Sequence, residues 1–273
     1  MRTQIQSFLK RAFSPKTVSI AAQMSYYWTL AFIPAMIFLI SFTSKLYLPV
    51  DSLLSYLQAA MPASAYNIVF SAINEVLSSQ ISFGTLALAL WFLVSGMHAF
   101  VLGLATSYPD TNHRRPLKVM MLSFVFAFIF IAIIIVSILL IVFGQHLTAL
   151  LARFFPVGTN VLITGKIIGY FVIFFMMVLS FSLLYQFAPN IKLRLKDVFW
   201  GALFSAIGWI IATFFFRFYV ENFGRYGLIF GSLGGIFVFL LWLYLLIFIM
   251  LVGNEINVSY YLHKYKPNQW ADS

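Results

Sequence analysis

IFGSLGGIFVFLLWLYLLIFIMLV, residues 229–252, runs for 24 residues without a charged side chain. At about 1.5 Å per residue, a helix of that length crosses the roughly 30 Å hydrocarbon core of a bilayer. Its Phe, Ile and Leu follow one another without the alternation of a barrel strand, so the segment reads as a membrane helix. Working outward, five further runs have the same character, at about 22–44, 82–106, 119–143, 161–186 and 198–220. The expected fold is an all-α integral membrane protein with six transmembrane helices.

Composition agrees with that reading. The 273 residues are 62% hydrophobic and 9% charged, with a mean hydropathy of +0.96. A soluble chain averages about 45–50% apolar and about 25% charged residues, so a water-soluble enzyme is excluded. The absence of cysteine removes disulfides, thiolate nucleophiles, Cys-ligated zinc and iron–sulfur clusters together.

The basic residues set an orientation. With the N-terminus inside, Arg2, Lys10, Arg11, Lys16, Arg114, Arg115, Lys118, Lys192, Arg194, Lys196, Lys264 and Lys266 all fall on the cytoplasmic side, twelve of the 17 Lys and Arg. Both termini are expected in the cytoplasm. The net charge of +10 is then a topology signal, with affinity for anionic lipid headgroups as a by-product, and nucleic acid is not an expected partner.

Residues 1–14 do not have the form of a cleaved signal peptide, because the first apolar run is too long and no small-residue cleavage site follows it. Ile5, Phe8, Leu9, Ala12 and Phe13 share one helical face opposite Ser7, Lys10 and Arg11, which predicts a helix lying on the inner membrane surface. Ser14-Pro15 reads as an N-cap followed by proline at the first helical position, opening the membrane domain of residues 15–273. Pro34, near the middle of the first span, is expected to kink it. Between the first two spans, residues 49–80 carry apolar positions at helical spacing but are too polar to insert. They predict two amphipathic helices, separated at Pro62, that cap the outer face either as a packed loop or as a lid.

Polar residues inside a membrane are expensive and so are the first candidates for function. Gln23, Tyr27, Leu30 and Pro34 lie at i, i+4, i+7 and i+11 on the first span with Tyr26 beside them, a stripe expected to face the bundle interior. It can line a substrate groove, or only hydrogen-bond between helices. Arg217, Glu221 and Arg225 follow at i, i+4 and i+8 at the outer end of the fifth span, fit either for a headgroup of mixed charge or for an interfacial ion pair. Glu255, with Asn254 and Asn257, closes the last span on the cytoplasmic side. Its expected partners are the basic residues of the loop holding Lys192 and Arg194, as a gate or as an anchor for the helix end.

In YGLIFGSLGG, residues 226–235, glycines 227, 231 and 235 recur every four residues with Gly234 adjacent, a flat ridge suited to close helix packing. No Lys-Ser or Lys-Thr follows, so this is not a phosphate loop. Gly165 and Gly169 form a weaker ridge. His98 stands alone on the second span and reads as a satisfied core residue, and His113, His146 and His263 have no metal-ligand spacing. With seven acids and none paired within a span, no two-metal, glycosidase or Ser-His-Asp constellation can be assembled. No enzyme activity, metal or cofactor is expected.

Several of these residues carry a family pattern. Ala21-Ala22 with the run from Tyr26-Tyr27 to Pro34, the Trp91 segment, Tyr185 to Asn190 with Lys192, Arg194, Asp197 and Gly201, and above all YGLIFGSLGG followed by Leu241-Trp242-Leu243-Tyr244 and GNEIN at 253–257 resemble the YihY/BrkB family of bacterial inner-membrane proteins. The resemblance covers nearly the whole chain; Asn254 stands where the family usually has alanine. It implies a six-helix bundle in the bacterial plasma membrane and a link to envelope integrity and to movement of envelope lipids. It also explains an old ribonuclease label on some members, which this chain's residues do not suit.

The function expected is therefore a transporter or flippase-like protein for an amphiphilic envelope component, such as a lipid or lipid-linked precursor. The alternative is a non-transporting scaffold that meets a second copy or an envelope protein partner through its glycine ridge and cap. A small-ion channel is disfavoured, because no ring of carbonyls or charges is visible.

Overall fold

The structure, a computed structural model, describes residues 2–45, 83–108, 115–133 except 130, 159–223 and 234–265, with scattered residues between 54 and 74 and at 136. Seven helices cover the main segments: α1 (Arg2–Ala12), α2 (Pro15–Lys45), α3 (Phe83–Ala105), α4 (Pro116–Ile133), α5 (Thr159–Phe187), α6 (Leu195–Phe223) and α7 (Gly234–Tyr265). No strand occurs among the described residues. Four helical stretches there are long and apolar enough to cross a membrane: α4, Gly169–Phe187 in α5, Leu195–Asn222 in α6 and α7. The runs expected at 22–44 and 82–106 are helical within α2 and α3. Most of the expected cap at 49–80 lies outside the described residues, although Met61 and Val69 are buried in the common core. Arg225, Gly227 and Gly231 also lie outside them.

The helices alternate in direction, so one end of the bundle collects the starts of α2 and α6 and the ends of α3, α5 and α7. Lys16 Nζ donates to Thr106 O (3.0 Å), Asn254 Nδ2 to Leu104 O (3.1 Å) and Tyr185 OH to Met250 O (2.8 Å), which ties that end together. α2 begins where the sequence changes character: Ser14 Oγ accepts the Thr17 N–H (3.2 Å), satisfying one of the orphan donors of the first turn. α2 then runs as one helix through Pro34.

Helix α7 is the centre of the packing. The apolar run was expected to end near residue 252, yet the helix continues through Gly253, Asn254 and Glu255 to Tyr265. The extension is possible because its polar side chains find partners inside the bundle rather than at the membrane surface. Val238, Phe239, Trp242, Leu246, Ile247 and Met250 are buried on α7, while Trp209 Nε1 of α6 donates to Leu246 O (2.8 Å).

Small residues set how closely the helices approach. A Cβ placed on Gly201 of α6 would collide with Gly253 O and Asn257 Oδ1, and one on Gly253 would collide with Ser205 Oγ, 2.7 Å from Gly201 O and 3.1 Å from Tyr185 OH. Gly103 of α3 meets the Met24 sulfur of α2 in the same way, and Gly96 meets Ala31 Cβ at 3.0 Å. By contrast, a Cβ on Gly169 would meet nothing within 4 Å, so Gly169 packs against nothing among the described residues. Gly234 is buried and Gly235 half-buried at the start of α7.

These contacts separate two glycine substitutions that look alike in sequence. Gly253→Ala forces backbone apart at the α6–α7 crossing and is expected to cost about 1–3 kcal/mol, seen as a lower thermal midpoint and less monodisperse protein in detergent. Gly169→Ala should leave that midpoint unchanged or raise it slightly, since it adds no clash and removes backbone freedom. Equal behaviour of the two would refute the crossing as described.

Candidate functional site

Two polar regions are built on this scaffold. One closes the end of the bundle near α1; the other lines an opening on its flank.

At the closed end, every hydrogen-bonding group on the last turns of α7 has to be met inside low-dielectric surroundings. Asn257 Oδ1 accepts the Gly201 N–H (2.9 Å), which it can approach because Gly201 has no side chain. Tyr185 OH lies 2.7 Å from Ser205 Oγ while it donates to Met250 O, joining α5, α6 and α7. Asn254 Oδ1 and Asn257 Nδ2 are buried without a hydrogen-bond partner among the described residues.

Glu255 is 4% exposed, and its Oε2 pairs with Arg11 Nε of α1 at 3.3 Å. The second arm of the same guanidinium, Nη2, donates to Ser259 Oγ (2.8 Å). This corrects the expected pairing with the α5–α6 loop: Lys192 and Arg194 are exposed, and the base that reaches Glu255 comes from α1. Arg11 was expected on the watery face of an interfacial helix. It turns inward because α1 packs along α7, with Ala12 fully buried and the Phe13 ring 5.5 Å from Phe248. A buried carboxylate without a cation would be far more expensive than one ordered arginine. Just outside α3, burial reinforced by the Glu255 carboxylate holds the Tyr108 phenol above its ordinary range, so it stays neutral.

Asp197 makes a second buried acid site that sequence reasoning noted only as part of a family pattern. Its Oδ1 accepts from Lys264 Nζ (2.8 Å), and its Oδ2 from the Arg194 N–H (3.1 Å) and Tyr265 OH (3.3 Å). The bond to Arg194 N–H is the return half of a capping box at the start of α6. The sequence signal was present: an acid in the first turn, three residues past the capping position Arg194.

The flank carries a cavity of about 520 Å³ between α2, α3 and α4. α2 contributes Ile20, Gln23, Met24 and Tyr27; α3 contributes residues from Trp91 to Gly103, with Thr106 just past its end; α4 contributes Pro116, Leu117 and Met120. Gln23, Tyr27, Trp91, Leu102 and Leu117 are exposed at its edges, so it opens sideways rather than into the core. Its polar groups are few: Gln23, Ser95, His98 and Thr106, with the phenol of Tyr27. His98 Nδ1 lies 3.5 Å from Ser123 Oγ of α4, a placement at a cavity wall that its isolation in the sequence did not suggest.

The structure therefore brings together some of the candidate residues and separates others. Gln23 and Tyr27 share the cavity, but their stripe faces outward from the core, because Ala21, Met24 and Ala31 form the buried face of α2. Tyr26 is exposed, with its ring 5.6 Å from that of Tyr27, and Pro34 lies further along α2. Arg217 and Glu221 form a pair (2.8 Å) with both side chains 43% exposed, at the opposite end of α6 from Gly201. A pair so exposed contributes about 0–1 kcal/mol. Among the described residues, no three His, Asp or Glu side chains gather as a metal site.

The Arg11–Glu255 pair gives a direct test. Arg11→Ala should destabilise the protein by an amount at the lower end of about 3–5 kcal/mol, because Arg11 is partly exposed. Adding Glu255→Gln should recover most of the loss. A double variant no more stable than Arg11→Ala alone, in thermal unfolding, would show that the pair is not what holds α1.

Comparison with known proteins agrees on the family. The Virulence factor BrkB family matches residues 8–273. The chain is 35% identical over 271 residues to "Putative ribonuclease-like protein YfkH" of Bacillus subtilis (strain 168), covering 96% of this chain and 98% of that protein. It is 31% identical over 90 residues to "UPF0761 membrane protein lpg0643" of Legionella pneumophila (strain Philadelphia 1), covering 33% of this chain and 22% of that protein. A UPF0761 membrane protein of Aeromonas salmonicida (strain A449) is 39% identical over 92 residues, 32% of each chain. No solved structure matches. With apolar helices long enough to cross a bilayer and a family match over nearly its whole length, the chain is a multi-pass membrane protein that belongs to the Virulence factor BrkB family.

Proposed function

We propose that the chain moves an amphiphilic envelope component, a lipid or lipid-linked precursor, between the leaflets of the bacterial plasma membrane. In this reading it spans the bilayer six times with both termini in the cytoplasm. The alternating helix directions support the odd and even placement of the spans, and Arg11, Lys16, Arg115, Lys118, Arg194 and Lys264 lie at the starts of α2, α4 and α6 and near the ends of α1 and α7, as the cytoplasmic side requires.

The observation that carries the proposal is the flank cavity. Gln23 and His98 stand about 10–12 Å along their helices from Lys16 and Thr106, well inside the roughly 15 Å hydrocarbon depth of one leaflet. Polar side chains at that depth on an open flank are costly unless a polar group visits them. Apolar walls with a polar tier part-way down suit a molecule whose tails stay in lipid while its headgroup is drawn inward. The buried acids have a different role in this scheme: Glu255 and Asp197 are ion-paired and hold the closed end shut. We carry no nuclease activity over from the name of YfkH, because the basic residues here are accounted for by topology and no acid among the described residues lines the cavity.

The test is reconstitution in vesicles with a headgroup-labelled lipid and a membrane-impermeant quencher. The protein should expose inner-leaflet label to the quencher, and Ala99→Trp, which fills the cavity wall, should slow this by roughly tenfold or more. Folded protein that moves no labelled lipid under any ion gradient defeats the proposal.

A further inference from the structure

We infer that the α2–α3–α4 cavity is a binding site for one anionic glycerophospholipid, taken from the leaflet on the α1 side. The inference rests on the proposed function for its context but not for its geometry.

Length is the first argument. On α3 the lining runs from Trp91 to Thr106, about 22 Å at the helical rise. Half of a bilayer including its headgroups is about 20–22 Å thick, so the groove matches a single leaflet from headgroup level to midplane. Its volume of about 520 Å³ is less than that of a whole two-chain lipid, so it takes the headgroup end and part of one chain while the rest stays in the bilayer.

Charge decides the headgroup. At the Thr106 end, Lys16 reaches across to Thr106 O with its ammonium exposed, and exposed Arg115 and Lys118 flank the lining residues Pro116 and Leu117. Among the described residues the lining holds no acid, and the acid facing Lys16 from α7, Glu255, is already paired with Arg11. At the Trp91 end the lining is apolar apart from Ser95 and the Tyr27 phenol, with Val94 beside them, suited to an acyl chain. A phosphate with a net negative headgroup at the rim and a tail beneath it satisfies both ends, whereas a zwitterionic headgroup would place its own cation against the three bases.

The experiment uses the full chain in nanodiscs of equal phosphatidylglycerol and phosphatidylcholine, followed by gentle extraction and mass spectrometry of retained lipid. Phosphatidylglycerol should be retained with a preference of about fivefold or more, as expected for several bases at a membrane surface. Lys16→Gln with Arg115→Gln and Lys118→Gln should abolish the preference, and since all three are exposed the protein should still elute as a folded species. Lys10→Gln with Lys196→Gln, two exposed lysines on α1 and α6, neither of which lines the cavity, should keep it. Equal retention of the two lipids, or a preference unchanged in the rim variant, overturns the inference. Lipid movement without that selectivity would leave the proposed function standing and this site refuted, while selective retention without movement would do the reverse.

Discussion

The close approach of α6 and α7 at Gly201 and Gly253 is the constraint on which the rest of the structure depends. In lipid there is no hydrophobic gain from bringing two apolar helices together, so association has to come from backbone proximity and hydrogen bonds across the contact. Here each glycine leaves room for the other's carbonyl, and the gap is too small for even a methyl group. The bonds of Asn257 to Gly201 and of Tyr185 to Met250 and Ser205 exist only at that separation. They in turn let α7 continue past its apolar run and carry Glu255 into the bundle.

From that contact follows a division of labour between the two polar regions. The closed end is dense, and its buried acids are paired, Glu255 with Arg11 and Asp197 with Lys264. Buried pairs of this kind are weak evidence of net stability but strongly resist losing one partner, which makes them suited to fixing geometry. The flank cavity is loose by comparison. Its polar groups are exposed or half-buried and face a volume that protein does not fill. A site that exchanges ligand with the bilayer belongs on such a surface, supported by an end that does not move.

Helix α1 links the two regions. Arg11 at its last turn holds α7, and Lys16, only five residues on, reaches the end of α3 at the rim of the cavity. The short stretch between them is set by Ser14, which caps α2, and by Thr17 Oγ1, which donates to Arg11 O (2.8 Å). Placement of the cavity's basic rim is thus coupled to the anchoring of a segment that, taken alone, is an ordinary amphipathic helix.

Membrane location, helical class and the approximate position of the apolar runs that fall on described residues were legible in the sequence, because burial of a backbone in lipid demands long uninterrupted apolar helices. The glycine pattern pointed to close packing, but at residues 227–235; the crossing seen among the described residues uses Gly201, Ser205 and Gly208 at i, i+4 and i+7, a row of small residues hidden within an aromatic span. Partner choice belonged to the tertiary structure. Periodicity placed Arg11 on the polar face of α1 and the Gln23 stripe on one face of α2, yet it could not say which way either face would turn. That was decided by which helix had an unpaired buried acid to satisfy, and by Gly96 and Gly103 of α3, which drew the opposite face of α2 into the core and left Gln23 and Tyr27 on the open flank.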